Sequence, residues 1–273
     1  MFTLPSNPEV YARSLLSQLK LRRIGDIGSF AALLGLKIKE VDSDTFEGAL
    51  IRVPQRLKGI VAIKRDIRED GRKRFTFCHE VGHFVLPGHG TTDCICLSEE
   101  VESWRKNMPE QELAANQFAA ELLLPYREVE PLVRKTDLTI KLAQKISSEF
   151  ESSLTAATLK CVDVTPERCA VAFSVAGAIK WFHRNENFHY FVRANQKVSD
   201  QSYAAKLFSG MHVDEPFGAV PADAWLEAEN LPFNARIWED SILLPHYNST
   251  ISILTIHKAP LMKEGQSDIS LFI

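Results

Sequence analysis

The chain has 273 residues, 45% of them hydrophobic and 25% charged, with a net charge of −3 and five cysteines. This size and balance predict a buried core divided into two or three units, and near-neutrality excludes the electrostatic footprint of wholesale nucleic-acid binding. An odd cysteine count argues for reduced thiols, and without a leader-like segment or a long apolar run the expected location is cytoplasmic, with no membrane span.

In chain order, residues Pro8 to Leu21 read as a helix, with Ser6 or Asn7 as cap and Tyr11, Leu15 and Leu19 along one stripe. Ile27 to Leu34 reads as a second short helix stopped by Gly35. Three strand-like runs follow: Leu36 to Val41, Phe46 to Arg52 and Gly59 to Ile63. A small sheet ahead of a long helix makes the expected fold class α+β. The charge-rich stretch Arg65 to Arg74 reads as a solvated loop leading into that helix.

The helix itself, FTFCHEVGHFVL from Phe75 to Leu86, carries His79, Glu80 and His83 as an H-E-x-x-H set. Residues four apart are separated by roughly 400° of rotation, so both imidazoles project from one face and can grip one ion. Glu80 lies roughly 100° round from His79, placed to act as a general base on water rather than as a ligand. The apolar Phe75, Phe77, Val81, Phe84, Val85 and Leu86 argue against a solvated surface helix with two incidental histidines. Cys78 points to another face and reads as core packing.

A zinc site of this kind needs a third protein ligand and leaves one position open. The run from Pro109 to Pro125 supplies it. Pro109 suits a first helical turn and Pro125 forces Leu124 out of the helical region, so a helix is bracketed between them. Glu112, Ala115, Asn116 and Ala119 share one face of it, and small alanines around a carboxylate let two helices approach closely. Glu112 is the expected third ligand and Asn116 an orienting partner. Glu121, a quarter-turn away, ranks below Glu112, and Glu110 fits better as a first-turn acid favoured by the helix dipole.

These two blocks, RFTFCHEVGHFVLPGH (Arg74 to His89) and ELAANQFAAELLLP (Glu112 to Pro125), resemble the ImmA/IrrE family of bacterial zinc metallo-endopeptidases. Its members carry R-F-T-x-x-H-E-x-G-H followed by E-x-x-A-N-x-F-A-A-x-L-L-x-P. The resemblance implies a zincin-like domain with zinc on His79, His83 and Glu112 and with Glu80 as catalytic acid-base. It also implies a protein substrate, a helix-turn-helix repressor cleaved in a stress or mobile-element response. Many members have a second acid before the Ala-Asn pair; here that position is Ala114.

Between the two blocks, His89, Cys94 and Cys96 lie close together in sequence. A Cys-x-Cys with no second pair is a weak metal signal, so this stretch reads as a strand or lid over the cleft, anchored by Ile95 and Leu97. His89 and Tyr126 are the nearby groups that could assist an oxyanion.

Thr136 to Lys160 has the outline of a helix-turn-helix, with a polar break at Glu151 to Ser153. Its second helix offers Ser, Thr and one Lys but no Arg, Asn or Gln for base contacts, so a structural helix pair is expected and DNA binding is not. Beyond it, Cys169 to Phe182 reads as a hairpin around Ala176-Gly177, and Ala235 to Leu244 with Ser249 to Lys258 as another. Trp181, Phe182, Phe188, Tyr190, Phe191, Trp225, Phe233 and Trp238 gather here as a core, while His183, His189, His212, His246 and His257 show no ligand spacing. Long members of the resembled family can end in a GAF-like sensory domain that takes a small-molecule signal. The expected division is therefore 1–130 peptidase, 131–160 helical segment and 161–273 regulatory domain. The rival reading is a non-proteolytic regulator that binds DNA or a repressor and uses zinc structurally.

Overall fold

The computed structural model describes residues 7–52, 58–89, 94–97, 109–211, 213–227, 231–232 and 234–256. The chain forms two units, Met1–Val129 with Ile146–Ala157 and Glu130–Lys145 with Thr158–Ile273. Both contain helices and a sheet, so the fold is mixed α+β.

The first unit opens with α1 (Pro8–Gln18) and α2 (Ile27–Leu33). The side chains of Asn7 and Asp26 accept the first free N–H groups of these helices, as N-caps do, and Gly35 leaves the second at φ 72°. Strands β1 (Leu36–Val41), β2 (Phe46–Arg52), β3 (Gly59–Lys64) and β4 (Cys94–Leu97) make a sheet of order β1-β3-β2-β4. Only β1 and β3 are parallel; β2 runs antiparallel to β3 and to β4. Cys94 to Leu97 is thus a strand, while its side chains and His212, Phe233 and His257 lie outside the described residues.

The long helix α3 (Asp70–Val85) begins five residues earlier than the apolar run suggests. The charge-rich approach is a largely exposed loop only as far as Glu69; from Asp70 it is helix, because its cations find carboxylates on the sheet and beyond. Arg72 pairs with Glu47 at 2.8 Å, Lys73 with Glu40 at 3.1 Å and Arg74 with Glu151 at 3.1 Å. Asp70 in the first turn adds its favourable interaction with the helix dipole.

Helix α4 (Glu110–Leu123) starts after Pro109 and ends where Leu124 turns to φ −124°, ψ 74°, a conformation compatible with the following proline. It packs against α3 at backbone distance: a Cβ added to Gly82 would lie 3.2 Å from Ala115 Cα and 3.2 Å from Phe118 Cδ1. Gly82→Val should therefore push the two helices apart. Its expected cost is about 1–3 kcal/mol of overpacking, read as a lowered urea midpoint at unchanged slope.

Helix α5 (Tyr126–Val133) follows directly, holding Val129 and Val133 in the interior despite Pro131 within it. Helices α6 (Ile140–Phe150) and α7 (Leu154–Val164) pass from one unit into the other. Their connecting turn is packed within the first unit: a Cβ on Gly71 would meet Ser153 N at 2.4 Å, and Arg23 donates to Glu149 O at 3.0 Å.

In the second unit β5 (Arg168–Val175), β6 (Ala178–Arg184), β7 (Phe217–Pro221), β8 (Arg236–Leu244) and β9 (Ser249–Ile256) form an antiparallel sheet of order β6-β5-β9-β8-β7, accompanied by α8 (Tyr203–Phe208). The first hairpin turns through Ala176 and Gly177 at φ 48° and 77°, both left-handed as a two-residue turn requires. One sheet face carries the core of Phe188, Trp225, Ile237 and Leu254. Glu239 is fully buried in it, accepting from Trp225 Nε1 at 2.8 Å, Ser241 Oγ at 2.7 Å and Ala204 N at 2.7 Å. Burial raises its carboxyl's pKa despite those bonds. Among the described residues no helix is long and apolar enough to cross a membrane.

Candidate metal centre

Helix periodicity places His79 and His83 on one face of α3, and the tight α3–α4 packing brings Glu112 to them. His79 Nε2 lies 3.0 Å from Glu112 Oε2, His83 Nε2 lies 3.3 Å from the same oxygen, and the two Nε2 atoms are 3.0 Å apart. Both histidines are buried, and Glu112 is partly covered. Among the described residues this is the one cluster of three His, Cys, Asp or Glu side chains able to hold a metal ion.

The donor chemistry fits such an ion. Three lone-pair-bearing atoms that face one another at this range repel unless a cation or proton sits among them. A tetrahedral site with bonds of about 2.0–2.1 Å has ligand–ligand edges of roughly 3.3 Å. The observed triangle is close to one face of that tetrahedron.

The far side of each imidazole is also occupied. His79 Nδ1 is 2.8 Å from Asn116 Oδ1, so Nδ1 carries the proton and Nε2 keeps its lone pair for a metal. His83 Nδ1 is 3.0 Å from His89 Nδ1, and His89 is 6% exposed. His89 therefore stands behind His83, away from the triangle, and is not grouped with it. Burial, reinforced by the neighbouring His83, pushes the His89 pKa down to about 4.

Burial by itself would raise the Glu112 carboxyl; in the metal-free chain, where Nε2 of His79 and His83 can bear a proton in place of an ion, their hydrogen bonds and charge outweigh burial and hold the pKa at about 2, against an ordinary 4.5. A depressed acid stabilises the fold fully above its unfolded value, and the contribution is lost as pH falls through the folded one. The metal-free chain should therefore lose stability between pH 4.5 and about 2. In Glu112→Gln that part of the pH–stability curve, followed by thermal unfolding, is expected to flatten.

Glu80 is wholly buried on the neighbouring flank of α3. The strand facing it carries Gly48, where a Cβ would come 2.5 Å from Glu80 Oε1 and 2.6 Å from Thr76 Cγ2. The absent side chain is what lets the carboxylate lie against β2. Sequence reasoning did not single out Gly48; a glycine inside a strand pattern was the available signal, since it marks close approach of a neighbour.

Glu121 is committed elsewhere. It pairs with Arg13 at 3.2 Å and accepts the Tyr126 N–H at 3.1 Å, which ties the start of α5 to α1. Cys78 is fully buried, and desolvation raises its thiol to about 12, so it packs rather than reacts.

Residues 31–161 match the IrrE N-terminal-like domain, a peptidase family. Among curated proteins none matches the chain by sequence. Among solved structures, a Mycobacterium tuberculosis transcriptional regulator shares the fold, with a TM-score of 0.54 at 13% identity over 91% of this chain and 76% of its own.

Proposed function

Since residues 31–161 belong to the IrrE N-terminal-like peptidase family, we propose that the protein is a zinc-dependent endopeptidase with His79, His83 and Glu112 as ligands and Glu80 as general base. The observation that carries this reading is the convergence of two imidazole nitrogens and a carboxylate oxygen within 3.0–3.3 Å of one another. Two nitrogens and one oxygen from the protein leave a fourth position open, the pattern of catalytic rather than structural zinc. When bound, such an ion supplies Lewis acidity toward a scissile carbonyl and an attacking water.

The chain's own residues would do the rest. Glu80, shielded from bulk solvent, takes a proton from the attacking water and returns it to the leaving amine. Asn116 and the tight α3–α4 contact hold His79 in the required tautomer. Among the described strands β4 is an edge, and an extended substrate segment can add to it by main-chain pairing.

The substrate we propose is a helix-turn-helix repressor cleaved in a stress or mobile-element response. All residues of the metal and base set precede residue 125, which leaves the C-terminal sheet free for a GAF-like control role. The fold shared with a transcriptional regulator keeps a second reading, a non-proteolytic regulator with structural zinc. The test is to strip and restore zinc in the full chain, incubate it with the repressor encoded by a neighbouring gene, and look for fragments by mass spectrometry. Zinc-restored cleavage supports the peptidase. Stoichiometric zinc without cleavage of any such repressor favours the regulator.

A further inference from the structure

The hydrogen-bond partner of His83 Nδ1 is another histidine, whereas that of His79 Nδ1 is an amide. His89 reaches His83 through its Nδ1 atom at 3.0 Å, on the opposite side of the His83 ring from Glu112. Two imidazole nitrogens at that distance share one proton: one donates and the other accepts. If His83 gives its Nε2 lone pair to a metal, its proton is on Nδ1, and His89 must be the acceptor with its own proton on Nε2.

The segment that carries His89 is clamped on both sides. Gly88 turns at φ 80°, a left-handed conformation that suits glycine. The side chain of Gln111 on α4 donates to Gly88 O at 2.7 Å. Arg52, at the end of β2, donates to the carbonyls of His83 and His89 and to Phe84 O at 3.2 Å. These carbonyls belong to the last turn of α3 and the turn beyond it, so one guanidinium fixes both the helix end and the loop behind the metal face.

We infer that His89 is a positioning residue of the metal centre: by accepting the Nδ1 proton of His83 it fixes the tautomer and ring orientation that present Nε2 to zinc. The inference rests on the reading of His79, His83 and Glu112 as zinc ligands. It distinguishes His89 from a fourth ligand or an oxyanion donor, because its contact is to the back of His83. Outer partners of this kind are worth about 10–100-fold in metal affinity.

Asparagine and leucine substitutions separate hydrogen bonding from packing. Asn Oδ1 sits where His Nδ1 does, and Asn116 already performs this task for His79. Leu fills a similar volume but accepts nothing. Zinc affinity is measured on the full chain by chelator competition. His89→Asn should stay within a few-fold of the wild type, and His89→Leu should bind about 10–100-fold more weakly. Equal affinities in the two variants, or an unchanged affinity in His89→Leu, overturn the inference. A wild-type chain that takes up no zinc overturns the metal reading and this inference with it.

Should His89→Leu fail to fold, nitrogen NMR of the zinc-loaded wild type decides. His83 is expected to show a metal-bound Nε2 and a slowly exchanging Nδ1 proton correlated with His89. Coordination through Nδ1, or a rapidly exchanging proton, would sink the assignment.

Discussion

Glu80→Gln is expected to retain zinc and fold while peptide-bond hydrolysis falls by about 10²–10⁴-fold, the range for loss of a positioned general base. Glutamine keeps the shape of the side chain, which is wholly buried, but cannot take a proton. Unfolding and elemental analysis should match the parent, with the change confined to the rate of chemistry. Gly48→Ala tests the same base by geometry, since a methyl group there would stand 2.5 Å from Glu80 Oε1 and must displace it. A lower kcat at preserved zinc content is expected. Undiminished cleavage by zinc-loaded Glu80→Gln would remove Glu80 from the mechanism.

Loss of a ligand should act earlier, on the metal itself. His79→Ala or Glu112→Ala removes one of the three proposed protein donors, so zinc affinity should fall by more than the about 10–100-fold that outer partners contribute. An ion that binds only the folded chain stabilises it by about 2.7 kcal/mol at a concentration of 100 Kd. The wild type should therefore melt at a higher temperature with zinc than without, and both variants should lose that difference. Glu121→Ala is the control. Its carboxylate holds Arg13 and the Tyr126 N–H, so the substitution should lower stability while leaving zinc stoichiometry near one per chain. Full zinc occupancy in Glu112→Ala would place the third ligand elsewhere.

Some of this was legible without coordinates because it depends on local period and local φ. The four-residue spacing of His79 and His83 fixes a common helix face whatever surrounds it. The Asn7 and Asp26 caps, the Gly35 stop and the Ala176-Gly177 turn are short-range effects of side-chain acceptors and positive φ. Pro109 and Pro125 bracketed α4 for the same reason. Those rules placed Glu112 on the Ala115–Asn116 face, and the α+β class followed from the order of the runs.

Other features came from partners far away in the chain, and no local rule reaches them. The start of α3 was hidden because Arg72 and Lys73 look solvated until Glu47 and Glu40, 25 and 33 residues back, are folded onto them. Helix α5 was obscured by Pro125 and Pro131, and the burial of Val129 and Val133 outweighs the poor propensity. The Asn116 bond selects one tautomer of His79 across 37 residues, a match that needs the Gly82–Ala115 approach to exist. His89 could be seen as a histidine near the site, but its place behind His83 depends on a left-handed Gly88 and on Arg52 and Gln111 reaching in from other elements. The sequence by itself determined which side chains share a helix face; packing decided which atom of each ring is turned toward Glu112.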